Sequence, residues 1–165
     1  MLFRSQGGFF HPAFFIIKSK YCCEFKDFFC GGEVANIIIK AVLTEQSRQL
    51  LLEKIPPIHP VVLADHVTIA FKPTRELYDK FSVDVGKTIK IPVVGHVADD
   101  NAQAALVRAD SINPHPHITI SRREDVKSKY SNTLLASHEV EHIDIFTVEA
   151  VIEIKQNSLP SSTRR

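Results

Sequence analysis

The sequence predicts a single α+β domain with mainly antiparallel sheets. The chain has 165 residues, of which 44% are hydrophobic and 24% charged, and this is typical of one soluble globular domain. Between residues 33 and 157, β-branched strand-like segments and shorter helix-like segments follow one another. Their order, β-α-β-α-β-β-β-α-β, indicates an α+β fold rather than the regular strand–helix alternation of a parallel sheet.

The individual elements can be assigned in chain order. β-branched residues predict a strand at 34–43, and Thr44 can cap a helix at 44–55 that Pro56 and Pro57 stop. Strand-like or helix-like composition predicts the remaining elements: strands at 66–71, 88–97, 104–109, 117–121 and 143–155, and helices at 75–81 and 126–136.

The two ends of the chain differ from this body. Residues 1–32 hold eight of the 11 Phe and all 3 Cys without any clear period, and we expect a poorly ordered extension there. The cysteines lack C-x-x-C spacing, so they predict neither a metal site nor a disulfide framework and suit a reducing compartment, the cytoplasm or the nucleus. The polar segment 158–165 is expected to be a frayed tail, which leaves 33–157 as the domain.

Charge limits the classes of partner. The formal net charge is +1, but residues 33–157 carry 14 Lys and Arg against 17 Asp and Glu. Such a body is a poor general binder of polyanions, because non-specific nucleic-acid affinity comes mainly from phosphate neutralisation. An anionic substrate must therefore meet a few local cations. No apolar run approaches the roughly 20 residues of a transmembrane helix, so we expect no membrane span.

The body contains one motif twice. The segments HVTIAF at 66–71 and HITIS at 117–121 both read H-[VI]-T-I followed by a small residue, and they start 51 positions apart. A lone H-x-T is common by chance, whereas two copies with matching β-branched neighbours are not. The repeat is therefore the strongest functional signal in the sequence.

Strand geometry predicts what each copy presents. Side chains alternate between faces, so His66 and Thr68 share one face, while Val67, Ile69 and Phe71 point to the core. In the second copy the shared face carries the following residues: His117, Thr119 and Ser121. On the same faces, six residues beyond each His, lie two cations, Lys72 and Arg123, so both and Ser121 are candidate substrate contacts.

Placed side by side, two such strands would form a groove with two imidazoles, two hydroxyls and flanking cations. This chemistry suits a phosphodiester: one imidazole takes a proton from water, the other protonates the leaving oxygen, and hydroxyls hold the phosphoryl oxygens. Histidine suits both roles, since its unperturbed pKa of about 6.5 lies near working pH. The alternative is that each His is a surface residue on a half-exposed sheet.

At these residues the sequence resembles the 2H phosphoesterase superfamily, which has the LigT-like fold of RNA 2′,3′-cyclic phosphodiesterases. The resemblance covers roughly 33–157 and includes Asp65 before the first motif and Pro116 before the second. Within the superfamily, the sequence is most similar to the RNA-repair branch, which includes the phosphodiesterase domain of fungal tRNA ligases and the Swiss Army Knife RNA-repair proteins.

The resemblance implies a fold and a set of roles. The fold is a two-lobed, pseudo-symmetric arrangement of antiparallel sheets with helices packed outside. His66 and His117 would be the general acid and base, in an order that stays open, and Thr68 and Thr119 the phosphate-binding hydroxyls. No metal and no other cofactor is implied.

A second motif suggests a different enzyme class. His138, Glu139 and His142 match H-E-x-x-H, in which one helix presents two zinc ligands and a Glu base. The β-branched stretch that follows predicts a strand instead, and no G-x-x-H supplies a third ligand. A zinc metalloprotease is therefore only a remote alternative.

Other polar and aromatic residues allow several interpretations. His115 is expected in a loop, and residues 99–101 in a turn, although an Asp there could also orient a catalytic His. Tyr130 and Phe71 could stack on a nucleobase. By strand parity core packing is the stronger interpretation for Phe71, whereas Tyr130 stays a candidate substrate contact.

The sequence thus predicts a metal-independent phosphodiesterase acting on a cyclic or RNA-terminal phosphodiester in RNA processing or repair. The alternative is a catalytically silent module that binds RNA ends or nucleotides through the same groove. The expected partner is the RNA or nucleotide substrate, with no obligate protein partner.

Overall fold

The computed structural model describes residues 29–30, 33–34 and 36–156. Three helices and nine strands are found in this part of the chain, in the following order: β1 Phe29–Cys30, β2 Glu33–Val34, β3 Ile37–Leu43, α1 Glu45–Lys54, β4 Val61–Val62, β5 His66–Phe71, α2 Arg75–Ser82, β6 Thr88–Ala98, β7 Ala102–Val107, β8 His117–Arg122, α3 Tyr130–Ser137 and β9 Glu141–Gln156. The predicted α+β class with antiparallel strands is confirmed.

Six of the strands close into a barrel-like sheet. Strand β8 pairs with β5, β5 with β3, β3 with β9, β9 with β6, β6 with β7, and β7 returns to β8. Every pair is antiparallel, and the short β4 lies beside β8, next to the start of β5. The predicted two-lobed, pseudo-symmetric arrangement stays a prediction.

Apolar burial holds the strands and helices together. One large cluster combines strand residues such as Ile39, Ile69 and Ile118 with Leu51 of α1 and Phe81 of α2. A smaller cluster packs α3 against β6 and β7, with the following buried members: Val97, Ala102, Ala104, Leu134 and Leu135. Burying each large aliphatic side chain stabilises the fold by about 1.5–3 kcal/mol.

Local signals explain where the helices begin and end. The Thr44 hydroxyl accepts from the Ser47 N–H and caps α1, as the sequence predicts, and Ile55 ends the helix before the two prolines. The α3 helix begins four residues later than predicted, because 126–129 form tight turns in which Tyr130 and Ser131 donate to carbonyls three residues back. The β7 strand lies two residues earlier than predicted, and β4 is an element that the sequence does not predict.

The H-E-x-x-H segment does not form a zinc-protease helix. His138 is the C-cap of α3 with extended backbone, and His142 lies in β9. The two histidines therefore cannot share a helical face, and the zinc-protease alternative is wrong for a physical reason: the β-branched residues that follow extend a strand back to Glu141.

The predictions for the two ends of the chain fall almost wholly on residues that are not described. The Cys22–Cys23 pair, most of the 1–32 extension and the 158–165 tail lie outside the described ranges. Over the described residues, none of the helices has the length and apolarity needed to span a membrane.

Candidate active site

The fold brings the two H-x-T motifs together. They lie on β5 and β8, which pair antiparallel with Val67 opposite Ile118, the middle residues of the two motifs. Because the strands run in opposite directions, His66 lies across from Thr119 on the neighbouring strand, and Thr68 lies across from His117. The pairing thus places the His of each motif opposite the Thr of the other.

A single cavity of about 740 Å³ is lined by both histidines and both threonines. Asp65 and the following residues complete its lining: Ile38, Leu63, Ile69, Ala70, Phe71, Ile112, Asn113, Ser128, Lys129 and Asn132. Such a volume lies in the range that takes a nucleotide-sized ligand, roughly 300–1,000 Å³. The cavity therefore has room for more than the phosphate that the motifs would hold.

His66 is paired with a carboxylate. Its Nδ1 donates to Asp65 Oδ1 at 2.9 Å, and this hydrogen bond is the main reason that the pKa of Asp65 lies below its usual value. The carboxylate therefore stays ionised and fixes the Nδ1–H tautomer, which leaves Nε2 as the nitrogen free for proton transfer.

His117 has a different environment. Its Nδ1 donates to the backbone carbonyl of His115 at 2.7 Å, so Nε2 is again the available nitrogen. Burial lowers the pKa of His117 below its usual 6.5, and the charges of His66 and His115 lower it further, against the opposing effect of the carbonyl. The two imidazoles are thus held in the same tautomer by different groups, a carboxylate for His66 and a backbone carbonyl for His117.

The two threonines also differ in their surroundings. Thr119 Oγ1 lies 2.9 Å from the hydroxyl of Ser131, a wholly buried residue in α3. For Thr68 it is the backbone carbonyl that is held: the Ser111 hydroxyl reaches the carbonyls of Thr68 and Ile69, both at 3.0 Å. This contact ties the 108–116 loop to the first motif.

The prediction that Phe71 packs in the core is wrong, because a bulge shifts the side-chain alternation of β5. In the pairing with β3, Ala70 lies opposite Ile39 and Thr68 opposite Lys40, so Ile69 is an extra residue. Ile69 and Ala70 are therefore both buried, and Phe71 returns to the cavity side with 52% of its surface exposed.

The same shift corrects the prediction for Lys72. This residue follows the end of β5 with a φ of 49°, and it is not among the residues that line the cavity. Its Nζ lies 5.7 Å from the centroid of the Phe71 ring, so it contacts the wall of the cavity and not the cavity itself.

A matching bulge in β8 corrects the predictions for Ser121 and Arg123. Ser121 pairs with Gln103 and Thr119 with Ala104, so Ile120 is the extra residue. Ser121 is consequently wholly buried and donates to the Gln103 side chain at 2.7 Å, and Arg123 lies outside the cavity and pairs with Asp125.

Tyr130 likewise does not line the cavity. Its hydroxyl donates to Asp99 Oδ2 at 2.7 Å, and this bond raises the pKa of Tyr130 above its usual value. Asp99 also accepts from the backbone N–H groups of Asn101 and Ala102, which confirms the predicted turn. The carboxylate that orients a motif histidine is thus Asp65 and not Asp99.

Sequence reasoning missed several residues of the site. Lys129, Ser128 and Asn132 reach the cavity from the start of α3, and Asn113 reaches it from the loop before β8, where it donates to Asn132 at 2.8 Å. None of these residues belongs to a repeated pattern. The prediction that His115 lies in a loop is confirmed, and its carbonyl is the group that holds His117.

No site for a metal ion is apparent within 36–156. In that range no three His, Cys, Asp or Glu side chains come close enough together to hold one.

A closed antiparallel sheet that brings two H-x-T motifs into one cavity is the arrangement expected of the 2H phosphoesterase class. The model of one family in this class, the fungal tRNA ligase phosphodiesterase domain, matches residues 64–159. The matched segment is more than half of the chain and contains both motifs, so the chain belongs to this family. Family membership indicates a phosphodiesterase of RNA processing with an RNA substrate. No curated protein matches the chain.

Proposed function

We propose that this protein hydrolyses a 2′,3′-cyclic phosphodiester at an RNA end or on a nucleotide, by general acid–base catalysis with His66 and His117 and without a metal ion. One observation carries the proposal: both motifs line a single cavity, and each imidazole has its Nδ1 engaged by the protein. Each Nε2 is thereby left for the proton transfers that the reaction needs.

The different surroundings of the two histidines support different roles. His117, whose pKa is lowered by burial, is neutral and accepts the proton of the attacking water at Nε2 as the water oxygen bonds to phosphorus. His66, whose Nδ1–H is held by Asp65, donates its Nε2 proton to the ribose oxygen as the P–O bond breaks. The product is a phosphomonoester, and solvent exchange restores the starting protonation states.

The hydroxyls of Thr68 and Thr119 are proposed to donate to the phosphoryl oxygens. Negative charge on these oxygens grows as water attacks, so the hydrogen bonds strengthen towards the transition state. Both residues are partly exposed and line the cavity together with the two imidazoles. This supplies the anion stabilisation that a Lewis acid would otherwise provide.

An apolar wall supports a nucleotide as the substrate. Phe71 is 52% exposed and Ile112 is 57% exposed, although both are large apolar residues that line the cavity. Aromatic stacking on a nucleobase contributes about 1–3 kcal/mol and tolerates any base. We therefore assign the base of the terminal nucleotide to this wall.

The pseudo-symmetry of the fold is part of the same proposal. The extra residue of the bulge is Ile69 in β5 and Ile120 in β8, which is the residue after Thr in each motif. This match supports a twofold relation between the two halves of the domain.

Lys129 is the candidate for contacting a second phosphate of the substrate, in place of Lys72 and Arg123. Of the described residues that line the cavity, it is the one Lys or Arg, and it forms no ion pair within the described part of the chain. A neighbouring phosphodiester of an RNA end would supply the anion. Lys129→Gln should therefore raise KM for a dinucleotide 2′,3′-cyclic phosphate roughly two- to fivefold, because exposed ion pairs contribute little more.

A nucleoside 2′,3′-cyclic monophosphate, which lacks the second phosphate, should be hydrolysed by Lys129→Gln as by the wild type. Lys127→Gln is the matched control, since Lys127 is two residues away and does not line the cavity. The dinucleotide effect should also shrink with added salt. An equal rise in KM for both substrates would contradict the assignment of Lys129 to a second phosphate.

The pH dependence of kcat/KM should follow from the state of the two histidines. The acidic limb reports protonation of the base in the free enzyme, and because burial lowers the pKa of His117, this limb should lie below pH 6.5. Asp65→Asn replaces the carboxylate that accepts from His66 Nδ1 with an amide that can also donate, so kcat should fall through loss of the fixed tautomer, while the acidic limb stays in place.

Initial rates from pH 4.5 to 9 test both statements. An acidic limb centred above pH 6.5, or an acidic limb that moves in Asp65→Asn, would show that His117 is not the base.

A silent module that binds RNA ends is the second candidate function, because the same cavity could hold a terminal phosphate without turnover. Incubation with a panel of cyclic nucleotides, a 2′,3′-cyclic RNA end and a 2′,5′-linked dinucleotide, followed by product analysis, separates the two. Catalysis predicts a new phosphomonoester and shows which ester bond breaks. Binding without any product would leave only the silent module.

A further inference from the structure

A buried hydroxyl lies directly behind one of the two motif threonines. Ser131 belongs to α3 and is fully excluded from solvent, with 0% of its surface exposed. Its Oγ lies 2.9 Å from Thr119 Oγ1, which is its one side-chain partner in the described part of the chain. Buried hydroxyls are almost always hydrogen-bonded, so this contact is a fixed part of the site.

The chemistry of a bound phosphate sets the direction of this hydrogen bond. Phosphoryl oxygens accept hydrogen bonds and do not donate them, so the Thr119 proton must point to the phosphate. The Thr119 oxygen then accepts from Ser131, whose proton has no competing side-chain acceptor among the residues that the structure describes. The result is a chain from Ser131 to Thr119 to the phosphate, in which each bond polarises the next.

We propose that Ser131 is a positioning residue for the reaction: it orients the Thr119 hydroxyl so that its proton faces the phosphoryl oxygen before the substrate arrives. This inference rests on the proposed function of the cavity. Ser131 touches neither the substrate nor the reacting atoms, and it acts only through Thr119.

The first motif lacks an equivalent of this support. The Thr68 hydroxyl has no hydrogen-bond partner among the described residues, and Ser111 holds the Thr68 backbone instead. The two hydroxyls are therefore unequal although the motifs repeat. Thr119 is already oriented, whereas Thr68 must lose its rotational freedom when the phosphate binds.

A double-mutant cycle tests the proposal on the full chain. Ser131→Ala should lower kcat roughly fivefold with KM nearly unchanged, the effect of losing one hydrogen bond that matters in the transition state. In a Thr119→Val background, Ser131→Ala should have no further effect on kcat. In a Thr68→Val background, it should again cost roughly fivefold. The kcat of Ser131→Cys, which keeps a weak donor, should lie between that of the wild type and that of Ser131→Ala.

A purely structural role for Ser131 gives a different result. The loss in kcat would then appear equally in the Thr119→Val and Thr68→Val backgrounds and would follow the thermal stability of each variant, and this outcome would overturn the proposal. A wild-type protein without activity on any cyclic phosphodiester would instead refute the proposed function itself. Activity with additive losses refutes only the role of Ser131.

Discussion

Replacing either motif histidine should nearly abolish turnover. His66→Ala and His117→Ala are each expected to lower kcat on a nucleoside 2′,3′-cyclic phosphate roughly 100- to 10,000-fold, the contribution of a positioned acid or base. Neither imidazole can replace the other, because their Nδ1 atoms are held by different groups, Asp65 and the His115 carbonyl. Steady-state rates of the purified variants measure the effect.

His138→Ala is the control for the histidine variants. His138 is exposed at the end of α3, outside the cavity, and its replacement should leave kcat within twofold of the wild type, in line with the small effects of surface substitutions. An inactive His138→Ala together with a fully active His66→Ala would show that the two-histidine mechanism is wrong.

The threonines should give the second largest effect. Thr119→Val keeps the shape of the side chain and removes a hydroxyl that donates to developing negative charge, so kcat should fall roughly 100- to 1,000-fold, with a smaller change in KM. Thr68→Val should lower kcat less, because the Thr68 hydroxyl lacks the buried hydrogen-bond partner that Ser131 provides for Thr119.

Thr133→Val is the matched control on α3, since Thr133 is exposed and does not line the cavity. It should retain wild-type kinetics. A rise in KM alone for Thr119→Val, with kcat unchanged, would mean that the hydroxyl contributes to ground-state binding and not to catalysis.

Much of the fold could be predicted because its local signals agree. The strands at 66–71 and 117–122, the Thr44 cap and the long final strand all follow from β-branched composition, capping chemistry and alternation. The same alternation predicts that His66 and Thr68 share a face, and both line the cavity. Up to Thr68 and Thr119, then, strand period and structure agree.

Beyond those residues the prediction fails because a bulge is a property of two strands. The extra residues Ile69 and Ile120 are defined by pairing with β3 and β7, which a period within one segment cannot reveal. The shift of one position brings Phe71 to the cavity, buries Ser121 and removes Lys72 and Arg123 from the face of the motifs.

The residues that support the site could not be predicted from the sequence for a related reason. Ser131 and Lys129 reach the site from a helix that follows the second motif, so only the packing of α3 on β7 and β6 brings them there. Asp65 did carry a signal, since it directly precedes His66, but its contact depends on a side-chain torsion that sequence does not set.

Chelator-resistant turnover is the most direct test of the central proposal. The full chain, dialysed exhaustively against EDTA, should hydrolyse a nucleoside 2′,3′-cyclic phosphate through many turnovers to a phosphomonoester, because imidazoles and hydroxyls supply the proton transfers and the anion stabilisation. The double variant His66→Ala/His117→Ala, prepared in parallel, should show only background. Turnover no faster than that of the double variant, or turnover that is lost on chelation and restored by a divalent metal, would contradict the proposal.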